Sequence, residues 1–259
     1  MASRVTVDLN CDMGESFGPW PMGDDGALMA SITSANIACG FHGGDPAVMR
    51  RTVRLARSHG VAVGAHPGLP DLVGFGRREM QVSPDEVEGM VLYQLGALAA
   101  IVRAEGATLR HVKPHGALYN MAVRDSLLAD AIARAVRAFD SSLILFGLAG
   151  SPMLASAEAA GLRVASEVFA DRAYERDGSL ASRRIAGAVI HDPAVVAARA
   201  VRMVRDGNVV ATSGEVVSLR ADTICIHGDT PGAAALARTV RHALEEAGVV
   251  VASLPANKT

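Results

Sequence analysis

Short apolar runs alternate with longer stretches of helical period along the whole chain. Seven runs predict strands: Val5–Asn10, Ala35–Cys39, Val61–Ala65, Arg110–Pro114, Leu143–Leu148, Leu162–Val168 and Thr223–Ile226. The clearest helical segment runs from Ser83 to about Ala104, with Val87, Val91, Leu95, Leu98 and Val102 on one face. Further helices are predicted to start near Asp24, Pro46, Asp125, Pro152, Pro193 and Pro231. Asp45-Pro46, Ser83-Pro84, Ser151-Pro152, Asp192-Pro193 and Thr230-Pro231 share one start signature. The first residue offers an oxygen to an orphan N–H, and proline at the first helical position gives up an N–H that has no partner anyway. Ser83-Pro84-Asp85-Glu86 also reads as a capping box. Regular alternation of strand and helix means parallel strands joined by right-handed crossovers. The expectation is one α/β domain over residues 1–254, a single parallel (β/α)7-type barrel, with an open doubly wound sheet as the alternative. Phe169–Ala188 is polar and reads as a long loop over the site, and residues 255–259 as a loose tail.

Strands covered on both faces should read as nearly continuous apolar runs, and several here do not. Asp8, Asn10 and Asp12 share one parity in the first strand; His111, Lys113 and His115 share one in the fourth. Thr223, Cys225, His227 and Asp229 do so in the seventh. Side chains alternate across a strand, so each set points to one side, which in a closed barrel is the lumen. An unpaired buried polar group costs about 1–3 kcal/mol on mutational scales, so these residues are either satisfied interior pairs, such as Asp8 with His111, or functional.

Barrel active sites form at the C-terminal strand ends. In order, those ends present Asn10 to Glu15, Gly40 to Asp45, His66, Lys113 to His115, Glu167 with Asp171-Arg172, and His227 to Asp229. Asp12, Glu15, His66, Lys113, His115, Glu167 and His227 are the candidate catalytic groups: carboxylates and imidazoles as bases or orienting partners, and Lys113 to polarise a carbonyl or neutralise phosphate. Asn10, Gly40, His42, Gly43, Gly44, Asp45, Arg172 and Asp229 are the candidate substrate- or phosphate-binding groups. Gly40–Asp45 offers backbone N–H groups at a helix start, or merely a tight turn with Asp45 as its cap. Asp171-Arg172 could clamp a carboxylate or form a solvated pair. A divalent metal suits carboxylate and imidazole donors, but neither HExxH nor paired CxxC supports it by spacing. Cys11, Cys39 and Cys225 read as buried thiols.

Composition narrows the classes. The 259 residues are half apolar, with a net charge of −2 and no Lys/Arg stripe, which argues against disorder and nucleic-acid binding. Gly, Arg, Glu or Asp interrupts the apolar stretches, so none reads as reaching the ~20 residues of a membrane span. No leader pattern precedes Val5, so a cytoplasmic location is expected. An odd number of cysteines, three, argues against a disulfide framework. Neither a Walker loop nor a dinucleotide fingerprint occurs.

These motifs resemble the LamB/YcsF family, assigned as the A component of bacterial 5-oxoprolinase. Those that carry the resemblance are Asp8–Glu15, Ser34–Asp45, Gly64–Pro67, Val112–Asn120, Glu167–Tyr174 and Ile224–Asp229, in order and over essentially the whole chain. The resemblance implies a barrel of the glycoside hydrolase/deacetylase type. It also implies cleavage of 5-oxo-L-proline to L-glutamate, with ATP and Mg2+ as co-substrate and with the B and C components of 5-oxoprolinase as partners. The alternatives are a stand-alone metal-dependent amidohydrolase or deacetylase, and a non-catalytic protein that binds substrate for its partners. Metal content and homo-oligomerisation stay open at this point.

Overall fold

The computed structural model describes residues 5–226, 228 and 232–255. His227, Asp229, the Thr230-Pro231 helix start and the tail from residue 256 lie outside the described residues. The elements are β1 (Thr6–Met13), α1 (Asp25–Met29), β2 (Ser34–Ala38), α2 (Pro46–Ser58), β3 (Ala62–His66), α3 (Pro84–Ala104), β4 (Leu109–Val112), α4 (Gly116–Ala122) and α5 (Ser126–Phe139). They continue with β5 (Ile144–Leu148), α6 (Pro152–Ala159), β6 (Arg163–Val168), α7 (Pro193–Arg205), β7 (Asn208–Val210), β8 (Val216–Ser218), β9 (Thr223–Ile226), α8 (Ala233–Glu246) and β10 (Val250–Val251).

Strands β1, β2, β3, β4, β5, β6 and β9 pair in parallel in that order, and β9 pairs back onto β1. The sheet is therefore a closed seven-stranded barrel, and the open-sheet alternative falls. β10 takes the edge of β1 at Thr6 and Val7, below the point where β9 begins to pair at Asp8. β7 and β8 form a separate antiparallel hairpin.

The two parities of β1 do different work. Val7, Leu9, Cys11 and Met13 join the apolar core shared with the helices. The other parity bonds across the lumen to strands that are not its sheet neighbours: Lys113 Nζ beyond β4 donates to Asp12 Oδ1 at 2.9 Å, and Asn10 Nδ2 to Glu167 Oε1 of β6 at 3.0 Å. Such bonds are geometrically available only inside a closed barrel. Gly64 in β3 makes room for one inward ring, since a Cβ there would lie 2.0 Å from His111 Nε2.

The expected caps form at Asp45, Asp192 and Asp125, and Ser83 with Glu86 makes the capping box. Ser151 precedes α6 without a side-chain cap bond. α3 is in fact long and apolar enough to cross a membrane by length and composition, because its charges gather at its two ends. Its Val87–Val102 face is instead buried against the barrel. Segment 169–188 is less solvated than its composition suggests: Tyr174 is buried, and bridges Arg172–Val189 and Tyr174–Leu180 fold the segment on itself.

Candidate active site

Asp8 anchors the lowest polar layer of the lumen. Its carboxylate accepts from Thr33 Oγ1 at 2.6 Å, Ser34 Oγ at 2.7 Å and Thr223 Oγ1 at 2.5 Å. Burial raises its pKa despite these bonds. The Asp8–His111 pair does not form, because the hydroxyls already fill the carboxylate. His111 Nε2 meets Asn36 Oδ1 at 2.8 Å instead, its ring stacks on Phe146, and burial pushes its pKa down to about 3.

One step higher, Asn10 uses all its capacity. Its amide donates to Glu167 Oε1 and to Thr223 Oγ1, and its oxygen accepts from Asn36 Nδ2 at 2.8 Å and Lys113 Nζ at 3.2 Å. Nothing is left over for a substrate. Glu167 is likewise enclosed, with Lys113 Nζ 2.9 Å from Oε1 and the Tyr119 hydroxyl donating to Oε2 at 2.9 Å. Lys113 is buried among Asp12, Glu167, Asn10 and Cys225 Sγ, the last at 3.0 Å. Burial opposes its charge, but Asp12, Cys225 and Glu167 outweigh that and hold its pKa well above the ordinary lysine value. With four acceptors around three N–H groups, Lys113 fixes its neighbours rather than reaching out to a ligand. For Asp12, the upward pull of burial is outweighed by His66 and Lys113, which hold the carboxyl well below its usual range.

The top layer is different in kind. Beyond the end of β4 the ladder with β3 continues, with Lys113 N–H donating to Ala65 O and His115 N–H to Pro67 O, so His66 and His115 are set side by side. His66 Nδ1 lies 2.7 Å from Lys113 O, and His115 Nε2 lies 2.8 Å from Phe75 O. A carbonyl only accepts, so both of those nitrogens carry protons. The remaining nitrogens, His66 Nε2 and His115 Nδ1, face each other at 2.9 Å. Glu15 Oε1 lies 3.6 Å from both His115 Nδ1 and His42 Nε2. His42 stacks on His115 at 3.7 Å and makes no hydrogen bond through either ring nitrogen among the described residues. Burial and the neighbouring histidines hold His42 well below the ordinary imidazole value, and push His115 down to about 3. One donor atom from each of Glu15, His42, His66 and His115 falls within 4.8 Å of all the others. Asp12 stands at the rim, with Oδ2 3.3 Å from His66 Nε2 and a side chain 16 % exposed, so this layer opens to solvent on its side.

Several supports have no counterpart in the sequence expectations. Phe75 is the one non-glycine residue with positive φ among the described residues, at 54°, and its carbonyl is the one that fixes His115. Strained backbone of this kind persists only where its surroundings impose it. Gln94 is buried on the apolar face of α3 and grips Gly68 through both its N–H and its carbonyl, each at 2.9 Å. Gly68 in turn lies against His42, where a Cβ would sit 2.6 Å from Nδ1. The sequence does carry a signal for Gln94: it is the polar residue in the Val87–Val91–Leu95–Leu98 stripe. Tyr119 lies within the Val112–Asn120 motif, but no spacing marks it as the partner of Glu167.

Three binding expectations need correction. The Gly40–Gly44 turn is not an open anion cradle, because Gly40 N–H donates to Gly43 O and Gly44 N–H to Ser16 O. Gly43 and Gly44 are small because the turn packs on the end of β1: a Cβ would lie 2.7 Å from Glu15 O and 2.6 Å from Ala38 O respectively. Asp45 is the α2 cap and accepts from Gly18 N–H as well. Arg172 is buried and donates to Ala188 O and Ala181 O, so its guanidinium ties segment 169–188 together rather than clamping a carboxylate. Thus Asp12, Glu15, His42, His66 and His115 gather in one layer with Lys113 and Glu167 beneath. Arg172, Asp45 and the glycines serve the frame.

Comparison with known proteins agrees with this architecture. Residues 7–259 match the LamB/YcsF family. A Bordetella pertussis protein named as the A-subunit of 5-oxoprolinase is 57 % identical over 245 residues, covering 95 % of this chain and 97 % of its own. One of the same name from Symbiobacterium thermophilum is 60 % identical, covering 95 % of this chain and 94 % of its own. The crystal structure of a lactam utilization protein from Thermus thermophilus superposes with a TM-score of 0.93 at 56 % identity, covering 96 % of this chain and all of that one. A putative cellobiose-phosphate cleavage protein from Enterococcus faecalis shares only the fold, with a TM-score of 0.56 at 16 % identity over 97 % of this chain and 98 % of that one. The chain belongs to the LamB/YcsF family.

Proposed function

We propose that this chain is the A component of an ATP-coupled 5-oxoprolinase, cleaving 5-oxo-L-proline to L-glutamate in the cytoplasm together with B and C partners. The observation that carries the reading is identity of 57–60 % across nearly the full length of relatives named as that component. The site is chemically suited to it. An unstrained lactam needs activation, and coupling to ATP supplies it. The lactam oxygen attacks the γ-phosphorus of ATP with Mg2+, releasing ADP and leaving a phosphorylated imidate. Water adds to the imidate carbon, the C–N bond breaks with the proton passing to nitrogen, and an acyl phosphate remains. A second water hydrolyses that to glutamate and phosphate. On this reading Asp12, at the open rim and kept ionised by Lys113 and His66, orients the water and the developing ammonium. Glu15, His42, His66 and His115 form the reacting face, and Glu167 and Lys113 act as positioning residues.

The absence of a phosphate-binding motif in the sequence supports assigning part of the ATP site to the partners. The test is glutamate and ADP release from purified chain with 5-oxoproline, ATP and Mg2+, with and without B and C. Turnover is expected only in the complete assembly; full activity of the chain alone would overturn the division of labour. The Glu15–histidine layer also favours a second reading, a stand-alone metal-dependent amidohydrolase, which ATP-independent lactam cleavage by the chain would establish.

A further inference from the structure

We propose that Glu15, His42, His66 and His115 form a binding site for one zinc-class divalent cation. Geometry alone carries this site, independently of the 5-oxoprolinase reading. His66 Nδ1 and His115 Nε2 are committed to backbone carbonyls at 2.7 and 2.8 Å, which turns the other nitrogens of the two rings toward each other at 2.9 Å. Two opposed lone pairs at that distance repel unless a cation lies between them, either a proton or a metal ion. Two further features favour the metal. His42 is buried, brings Nε2 to the same point, and has no hydrogen bond through either ring nitrogen among the described residues, whereas a proton shared by His66 and His115 would give it nothing to do. Glu15 Oε1 completes the set at 3.6 Å from His42 Nε2 and from His115 Nδ1. Four donors at zinc bonding distances of about 2.0–2.1 Å in a tetrahedron lie roughly 3.3 Å apart. The 2.9 Å and the two 3.6 Å separations here bracket that value, and all four donor atoms lie within 4.8 Å of one another.

The surroundings match what metal-bound histidines require. Ligating imidazoles characteristically donate their other N–H to a carbonyl or carboxylate, which fixes the tautomer and ring orientation. His66 and His115 both do so, the second through the strained carbonyl of Phe75. Three imidazoles with one carboxylate suit zinc, cobalt, iron(II) or manganese, and do not suit magnesium or calcium, which prefer all-oxygen shells. Asp12, with Oδ2 3.3 Å from His66 Nε2, is the neighbouring carboxylate on the solvent side and places an acceptor beside the cation.

The experiment uses the full chain, stripped with a chelator and then titrated with zinc or cobalt(II), without substrate. About one equivalent per chain by elemental analysis, a visible cobalt(II) band, and a metal-dependent rise in Tm are expected. His115→Ala should abolish all three. Glu15→Gln, which keeps the shape and so guards against a folding defect, should weaken binding at least tenfold. His242→Ala, on the surface, should change nothing. Retention of less than a tenth of an equivalent by folded wild-type chain, or metal binding untouched by His115→Ala and Glu15→Gln, overturns the site. Because no substrate is present, that failure leaves the 5-oxoprolinase reading standing. A chain that binds metal but gives no turnover in the full assembly strikes only the reaction.

Discussion

Two buried polar layers share the barrel axis and treat their hydrogen-bonding capacity in opposite ways. In the lower one, Asp8, Asn10, Asn36 and Thr223 spend their capacity on one another and on the side chains of Ser34, Thr33, His111, Lys113, Glu167 and Asp12. In the upper one, three imidazoles and a carboxylate converge with few hydrogen bonds between them, and His42 makes none through its ring nitrogens among the described residues. Sequence alone does not separate them: strand parity marks Asp8, Asn10, His111 and His115 alike, while Glu15, His42 and His66 stand out only as polar residues at or beyond strand ends. What separates them is unmet valence. A closed network gives the barrel a unique interior; an open one leaves imidazole nitrogens able to act on something else.

The sharpest way to break this contrast is at the link between the layers. Lys113→Met leaves Asp12 and Glu167 buried without their cation, and should cost about 3–5 kcal/mol of stability in denaturant unfolding together with all measurable turnover. Within the lower layer, Asp8→Ala strands three hydroxyls. We expect a loss of about 3 kcal/mol in stability, with kcat per folded molecule changed only a few-fold. In the upper layer the pattern should invert. His115→Gln should lower turnover of the complete assembly about 10³-fold, equivalent to about 4 kcal/mol, while shifting the stability of the metal-free chain by less than about 1 kcal/mol. Stability losses of equal size in Asp8→Ala and His115→Gln would erase the distinction.

A smaller effect follows from Gln94, whose amide fixes the Gly68 backbone beside His42. Gln94→Leu should cost about 1–3 kcal/mol and weaken the site through His42 rather than through contact with substrate. The smallest effect is in pH dependence. His111 has a pKa of about 3 in the folded chain against an ordinary value near 6.5. As pH falls below 6.5 the unfolded chain takes up this proton and the folded chain does not, so stability declines down to about pH 3. His111→Gln removes that group, and the slope of stability between pH 6 and 4 should flatten by at most ~1.4 kcal/mol per pH unit.

The same contrast explains what can be read from the residues. Strand and helix alternation, the Asp-Pro and Ser-Pro starts and the polar parity of β1 and β4 are local patterns, and they lead directly to a closed parallel barrel. β1 runs three residues further than the apolar run suggests, because Asp12 replaces an apolar inward residue while Cys11 and Met13 keep the outward face apolar. The β7–β8 hairpin has no such signal, since its three-residue strands pair only with each other. For the site, position along a strand locates the region but not the roles. Asn10, Glu167 and Lys113 look functional in sequence and are enclosed in the structure. Arg172 and Asp45 serve the frame because carbonyls and N–H groups distant or adjacent in the chain reach them first. Convergence of Glu15 with three histidines from the ends of three separate strands has no spacing signature, and neither has a carbonyl supplied by Phe75 in a left-handed turn.

Whether function resides in the open upper layer while the closed lower layer is structural can be decided by one paired assay. His66→Gln and His111→Gln each replace one inward imidazole by an amide, one in each layer. Glutamate release from 5-oxoproline and ATP is measured for both in the complete assembly, normalised to folded chain. We predict loss of activity to background for His66→Gln and at least a tenth of wild-type activity for His111→Gln. Equal loss in the two variants, or retained activity in His66→Gln, would contradict the division between the layers.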